Sequence, residues 1–226
     1  MGQGSTEEAD ERPGDRPALK RSVPVWMAVV LMVVSLAVGY LVSRPSVPLD
    51  SSADAGFLRD MSVHHSQAVD MSLIILEETD EPTLSTVAED IARTQQAQIG
   101  RMRGWLVQWD LSIRGGQPSM AWMEGHGHGG GESDEAGSDE PMPGYVSDER
   151  MTELREASGR EAEVIFLTEM IHHHVGGVDM AEAATTLAEE PVVVEIASGM
   201  VEAQRSEIEL MQDMLEERGA ERVDID

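Results

Sequence analysis

From Val23 to Val42 the chain runs twenty residues without a charge. As a helix at about 1.5 Å per residue this spans roughly 30 Å, the thickness of a bilayer core. Beyond it, apolar positions fall at three- and four-residue steps, the spacing of one helical face. Phe57, Leu58, Met61, His65, Ala68, Met71, Ser72 and Ile75 mark one helix over 53–78, with Asp54 as a candidate N-cap. Leu84, Val87, Ile91, Gln95, Gln98, Ile99, Met102 and Leu106 mark the next, which runs to about Trp109. Thr79-Asp80-Glu81-Pro82 separates the two, and Pro82 suits a first helical turn. The pattern then predicts a helix from about Asp148 or Thr152 to Ala188 and another from Pro191 to about Glu217, with Gly219 placed to end it. Two such hairpins cannot each bury a two-sided apolar face alone. The expected fold is all-α: a four-helix bundle of approximate twofold symmetry, preceded by one transmembrane helix.

The two hairpins are copies. Phe57-Leu58-Arg59-Asp60-Met61-Ser62-Val63-His64-His65 returns as Phe166-Leu167-Thr168-Glu169-Met170-Ile171-His172-His173-His174. Val69-Asp70-Met71 meets Val178-Asp179-Met180 without a gap, and Gln95, Ile99, Met102 and Leu106 meet Gln204, Ile208, Met211 and Leu215. The expected organisation is a disordered polar tail over 1–21, an anchor over 22–43, a tether over 44–52 and the duplicated domain over 53–226. Within that domain repeat one covers 53–110, a linker 111–147 and repeat two 148–218.

Charge orients the anchor. Lys20 and Arg21 precede the apolar run directly and only Arg44 follows closely, so the positive-inside rule puts the N-terminus in the cytoplasm and the rest outside. A cleaved signal peptide competes with this single-pass reading, but no clean A-x-A site follows the run and the run is long for a signal peptide's apolar region. The formal net charge of −27 resides entirely beyond residue 44, and such a surface repels phosphate, which excludes a nucleic-acid partner. Cysteine is absent, so neither disulfides nor thiolate ligands contribute.

Fifteen methionines stand against two phenylalanines, and the repeated segment places some of them beside histidine. Positions i, i+3, i+4, i+7 and i+10 share a helical face. Met61, His64, His65, Ala68 and Met71 fit that series, as do Met170, His173, His174, Gly177 and Met180. Thioether with imidazole suits a soft ion: copper(I) first, with copper(II) able to use the imidazoles. Met102 and Met211, with Gln95 and Gln204, approach from the partner helices. Asp60, Asp70 and Asp179 are candidates to orient a ring nitrogen. Met120, Met123, His126 and His128 in the linker are either an auxiliary ion-capture arm or simply flexible, and His172, which has no counterpart in the first copy, is expected to face water. Against all this, a methionine stripe at helical spacing is ordinarily core filler. The repeated adjacent histidine pair is harder to assign to packing alone.

The string Phe-x-x-x-Met-x-x-His-His-x-x-Ala-x-x-Met, repeated across a Met/Gly/His-rich linker, resembles the domain of unknown function 305 family over about 53–217. The resemblance implies a ferritin-like, often extracytoplasmic bundle in a family that includes copper-binding proteins. It also implies Met61, His64, His65, Met71, Met170, His173, His174 and Met180 as signature positions. Gly177 stands where the family usually has Ala, and Val63 where it commonly has Pro. The expected function is membrane-anchored copper binding outside the cytoplasm for sequestration, resistance or transfer, with a homodimer or a copper-delivery partner as further expectations. No organic cofactor is expected. A ferritin-like oxidase is one alternative, although Glu169-x-x-His172 has no partner motif in the first copy. A metal-free acidic interaction module is the other.

Overall fold

The computed structural model describes residues 24–42, 47–123 and 142–225. Among these residues six helices form: α1 (Val25–Val42), α2 (Ala53–Glu78), α3 (Pro82–Gln108), α4 (Asp148–Glu156), α5 (Gly159–Leu187) and α6 (Pro191–Glu217), with a short 3-10 turn over Ala121–Met123. Among the described residues there is no strand, and the all-helical expectation holds.

The chain divides into a unit ending at Ser46 and a unit from Val47 onward. In the first, α1 is apolar and exposed all round from Val25 to Tyr40. It falls short of the anchor expected over 22–43. Its 18 residues reach only about 27 Å at 1.5 Å per residue, and among the described residues no helix is long and apolar enough to cross a membrane.

In the second unit α2 packs on α3, α5 on α6, and α2 on α5. Each hairpin turns at a proline. Pro82 and Pro191 occupy the first turns of α3 and α6, where the missing N–H costs nothing. Glu81 caps α3, its carboxylate accepting from the backbone N–H of Thr83 at 3.0 Å and Leu84 at 2.6 Å. Ser52, rather than Asp54, caps α2 by accepting from Ala55 N–H at 3.2 Å. Asp54 reaches across to the other hairpin, where its Oδ1 accepts from the N–H groups of Glu189 and Glu190 at 3.1 and 2.9 Å, just ahead of α6. Gly219 adopts φ 73° after α6, the left-handed residue that ends the helix.

Repeat two departs from the single long helix expected between Asp148 and Ala188. The chain breaks at Ala157-Ser158, Gly159 takes φ 54°, and α4 stands apart from α5. The break lets α4 turn Met151 and Leu154 into the core, which the first copy lacks an element to do.

Two buried apolar clusters result, and the duplication relates them. One gathers Met71, Met170 and Met211 with Phe166 and Leu167; the other gathers Met61, Met102 and Met180 with Phe57 and Leu58. An early residue of α2 thus shares a cluster with a late residue of α5, so the two helices run antiparallel.

A buried ion pair closes the first of these ends. Arg218 donates from Nε to Glu163 at 2.7 Å and from Nη1 to the Met214 carbonyl at 2.8 Å, while Thr79 donates to the other Glu163 oxygen at 2.6 Å. Removing one partner leaves a buried, uncompensated charge. Arg218→Ala is therefore expected to cost about 3 kcal/mol, read as a lowered urea midpoint at unchanged slope. A loss below about 0.5 kcal/mol would show that solvent screens the pair.

Candidate metal centre

The repeated Met-x-x-His-His string places His64 and His65 on α2 and His173 and His174 on α5, and all four side chains are fully buried. Because α2 and α5 cross at these residues, His64 and His173 stack with ring centroids 3.7 Å apart and planes at 29°. His65 and His174 lie on the outer sides, 6.5 and 6.2 Å from their chain neighbours' rings.

Each imidazole has one nitrogen engaged. His64 Nε2 lies 3.0 Å from the Pro143 carbonyl and His173 Nε2 lies 3.0 Å from the His64 carbonyl. His65 Nε2 is 2.7 Å from Gln98 Oε1, and His174 Nε2 is 2.7 Å from Glu207 Oε2. A carbonyl or carboxylate oxygen can only accept, so these contacts put the proton on Nε2 and leave Nδ1 as a bare lone pair. All four Nδ1 atoms are buried without a hydrogen-bond partner, as are the Oε1 atoms of Gln95 and Gln204. A buried acceptor left unpaired costs about 1–3 kcal/mol. Four imidazoles in that condition at duplicated positions form a donor set that a cation would satisfy.

Burial holds the rings of His64, His65 and His173 neutral. Desolvation first, opposed by the Pro143 hydrogen bond, takes His64 down to about 4. Desolvation and then the neighbouring His64 take His65 to about 3. His173, desolvated and facing the other three imidazoles, is lowered well below its ordinary value. A neutral imidazole is the form that binds metal.

Hairpin register sets methionines about one helical turn from the outer histidines. His65 meets Gln98, so one turn away Met61 on α2 stands level with Met102 on α3, and both share a cluster with Met180. The images are His174 with Glu207, then Met170 with Met211, in the cluster of Met71. Every one of these six methionines is buried. Among the described residues no group of three His, Cys, Asp or Glu side chains converges on one point. An ion here would therefore need thioether sulfur beside imidazole.

The remaining expected residues are dispersed. Asp60 turns to the linker, accepting from Ser119 Oγ at 3.0 Å, Met120 N–H at 2.8 Å and Trp122 Nε1 at 2.9 Å. Asp70, Asp179 and His172 are exposed. Gln204 fills the space a Cβ would take on Gly177, so the small residue there admits a side chain of α6. Met120 and Met123 pack, with Met142, against the cluster that holds Met61. His126 and His128 lie outside the described residues. With its three acceptor contacts gone, Asp60→Ala is expected to cost about 2 kcal/mol and to shift Trp122 fluorescence to the red. An unshifted emission would mean that the Phe57–Trp122 edge contact at 5.7 Å holds the turn unaided.

Gln98, Glu207 and Pro143 contact the histidines; Gln98 belongs to the stripe expected on α3, but none of the three was expected as a histidine partner. Gln98 and Glu207 sit at matched places in the two copies, which was the available signal, but the residue type differs. Pro143 belongs to the linker and has no image. Its carbonyl reaches His64 because Gly176 carries no side chain: a Cβ there would run into that carbonyl.

The domain of unknown function DUF305 matches residues 54–215. Among solved structures, a DUF305 protein from Streptomyces coelicolor, described as a candidate secreted protein, is 43% identical with TM-score 0.69, covering 78% of this chain and 99% of its own. A DUF305 fragment from Deinococcus radiodurans is 26% identical with TM-score 0.60, covering 76% and 99%. CopM in its Cu(I)-bound form is 24% identical with TM-score 0.55, covering 73% and 96%, a likeness of fold. CopM structures with Cu(II) and with Ag are similar at 23% and 24% identity. No functionally curated protein matches the chain.

Proposed function

The chain belongs to the DUF305 family, and from that premise we propose that it binds copper through its histidine pairs and flanking methionines, without catalysing a reaction. The observation that carries the reading is the set of four buried Nδ1 lone pairs with no partner. Copper(I) is the favoured cargo because the available ligands are neutral imidazole and thioether. Copper(II) is the second, through the imidazoles. The helices then form a ferritin-like four-helix bundle in which His65 with Met61, Met102 and Met180 serves one half. His174 with Met170, Met211 and Met71 serves the other. CopM, similar in fold, is known in Cu(I)-, Cu(II)- and Ag-bound forms, which supports this choice of ion.

The domain acts outside the cytoplasm. The secreted description of the Streptomyces coelicolor protein supports this, as does the choice of thioether over thiol, which would oxidise there. Storage or transfer of copper follows from a site whose ligands are all neutral and whose sulfur bonds to copper(I) exchange readily.

The test is a competition titration of the full chain against a copper(I) chelator of known affinity, with X-ray absorption of the loaded protein. A dissociation constant tighter than micromolar, with nitrogen and sulfur in the first coordination shell, is the expected result. Binding weaker than micromolar, or a shell of oxygen alone, would end the proposal.

A further inference from the structure

Two histidines at matched places in the duplicated hairpins have chemically different partners. His65 Nε2 contacts the neutral amide of Gln98, and His174 Nε2 contacts the carboxylate of Glu207, both at 2.7 Å. His65 and His174 are equally buried, both Nδ1 atoms are bare, and each Met trio has its image in the other half. The two halves therefore differ at this position by one formal charge on an atom one hydrogen bond from the ligand ring.

From this we infer that the halves are not equivalent metal sites: Glu207 makes the His174 half the tighter of the two for copper(II), and Gln98 leaves the His65 half the more selective for copper(I). This rests on the copper reading above. The physical reason is charge balance at low dielectric. An ion entering the His65 half brings its whole charge into a neutral, buried donor set. The same ion in the His174 half meets a carboxylate at the far side of the imidazole. Attraction to that carboxylate scales with the charge of the ion, so it favours a divalent cation twice as strongly as a monovalent one. The carboxylate also strengthens the imidazole as a donor by accepting its Nε2 proton's hydrogen bond, the carboxylate–histidine–metal arrangement that tunes many sites. A glutamine oxygen does this weakly, and its amide can turn to offer either a donor or an acceptor. A carboxylate only accepts, and so holds His174 with Nδ1 free. Glu207 is a positioning residue, since it touches the ligand and not the metal.

Neither hairpin needs new packing for this difference. Gln and Glu have nearly the same shape, so exchanging them leaves packing unchanged and alters charge and hydrogen-bond character together.

The experiment uses the full chain, Glu207→Gln, Gln98→Glu and the double exchange, each titrated with copper(II) and separately with copper(I) against competing chelators. Electron paramagnetic resonance of the copper(II) forms is recorded alongside. Wild-type protein is expected to show one tighter and one weaker copper(II) site. Glu207→Gln should weaken the tighter one by about 10- to 100-fold and weaken copper(I) binding in the same half by the smaller factor of about 3- to 10-fold, because the carboxylate's attraction scales with the charge of the ion. Gln98→Glu should create a second tight copper(II) site with its own resonance signal, and the double exchange should restore one tight site. Equal copper(II) affinities in the wild type, or Glu207→Gln shifting both oxidation states by the same factor, overturns the inference and leaves the copper proposal standing. Absence of copper binding by the wild type overturns both.

Discussion

Replacing His65 and His174 together with leucine is expected to weaken copper(I) binding by about a thousandfold, or ~4 kcal/mol, while the metal-free protein stays folded. Each residue is fully buried, and each presents one engaged nitrogen and one bare Nδ1. The substitution removes two lone pairs that no protein group satisfies. In the apo protein an unpaired buried acceptor is a burden of about 1–3 kcal/mol, and leucine fills similar space without it. The loss of the Gln98 and Glu207 contacts works against that gain, but both partners retain access to water: the Glu207 side chain is 29% exposed, and Gln98 lines an open groove with Arg101 and Trp105. The apo melting temperature should therefore change by only a few degrees. This separates function from packing, because a purely structural histidine would lose stability when removed and no affinity for metal. Competition titration and thermal melting of the same samples decide it. Retention of wild-type copper(I) affinity would remove these two histidines from the site.

Mild acid is expected to destabilise the apo protein steeply between pH 6.5 and 5. In the unfolded chain each histidine titrates at its ordinary 6.5, whereas in the folded protein burial holds His64 at about 4 and His65 at about 3, with His173 well below its ordinary value. Within this window the unfolded state binds more protons than the folded one, so stability rises with pH and falls as pH is lowered. The contribution is complete above pH 6.5 and declines until pH passes below the folded value, about 4 for His64 and about 3 for His65. At pH 5 His64 and His65 should each have cost roughly 2 kcal/mol, with His173 adding in the same direction. Urea unfolding at pH 7, 6 and 5 measures the slope. Exchanging His64 and His65 for glutamine should remove roughly 4 kcal/mol of the loss between pH 7 and 5. An unchanged slope would assign the acid sensitivity to carboxylates instead.

How much of this was legible beforehand varies with the kind of information. The duplicated Met-x-x-His-His string located the four histidines, and helical periodicity placed them on an inward face, because burial follows from a 3.6-residue repeat of apolar neighbours. The six buried methionines were legible for the same reason. Asp60 was misplaced as a histidine partner: one turn of separation on a helix is a necessary condition for such a contact, and here the Ser119–Trp122 turn captured the carboxylate. The break ahead of Gly159 was missed because residues on both sides of it favour helix, and only two extended residues, Ala157 and Ser158, with a positive φ at Gly159 interrupt them.

The sequence by itself determined an all-helical chain, its twin hairpins, its acidic surface and the ligand types on offer. These are local or compositional properties, set by side-chain spacing and by which atoms each residue carries. Tertiary structure decided which nitrogen of each ring stays bare, that His64 stacks on His173, and that an amide guards one outer histidine and a carboxylate the other. Those depend on how α2 crosses α5 and on the register of each hairpin, distances between residues far apart in the chain that no local pattern specifies.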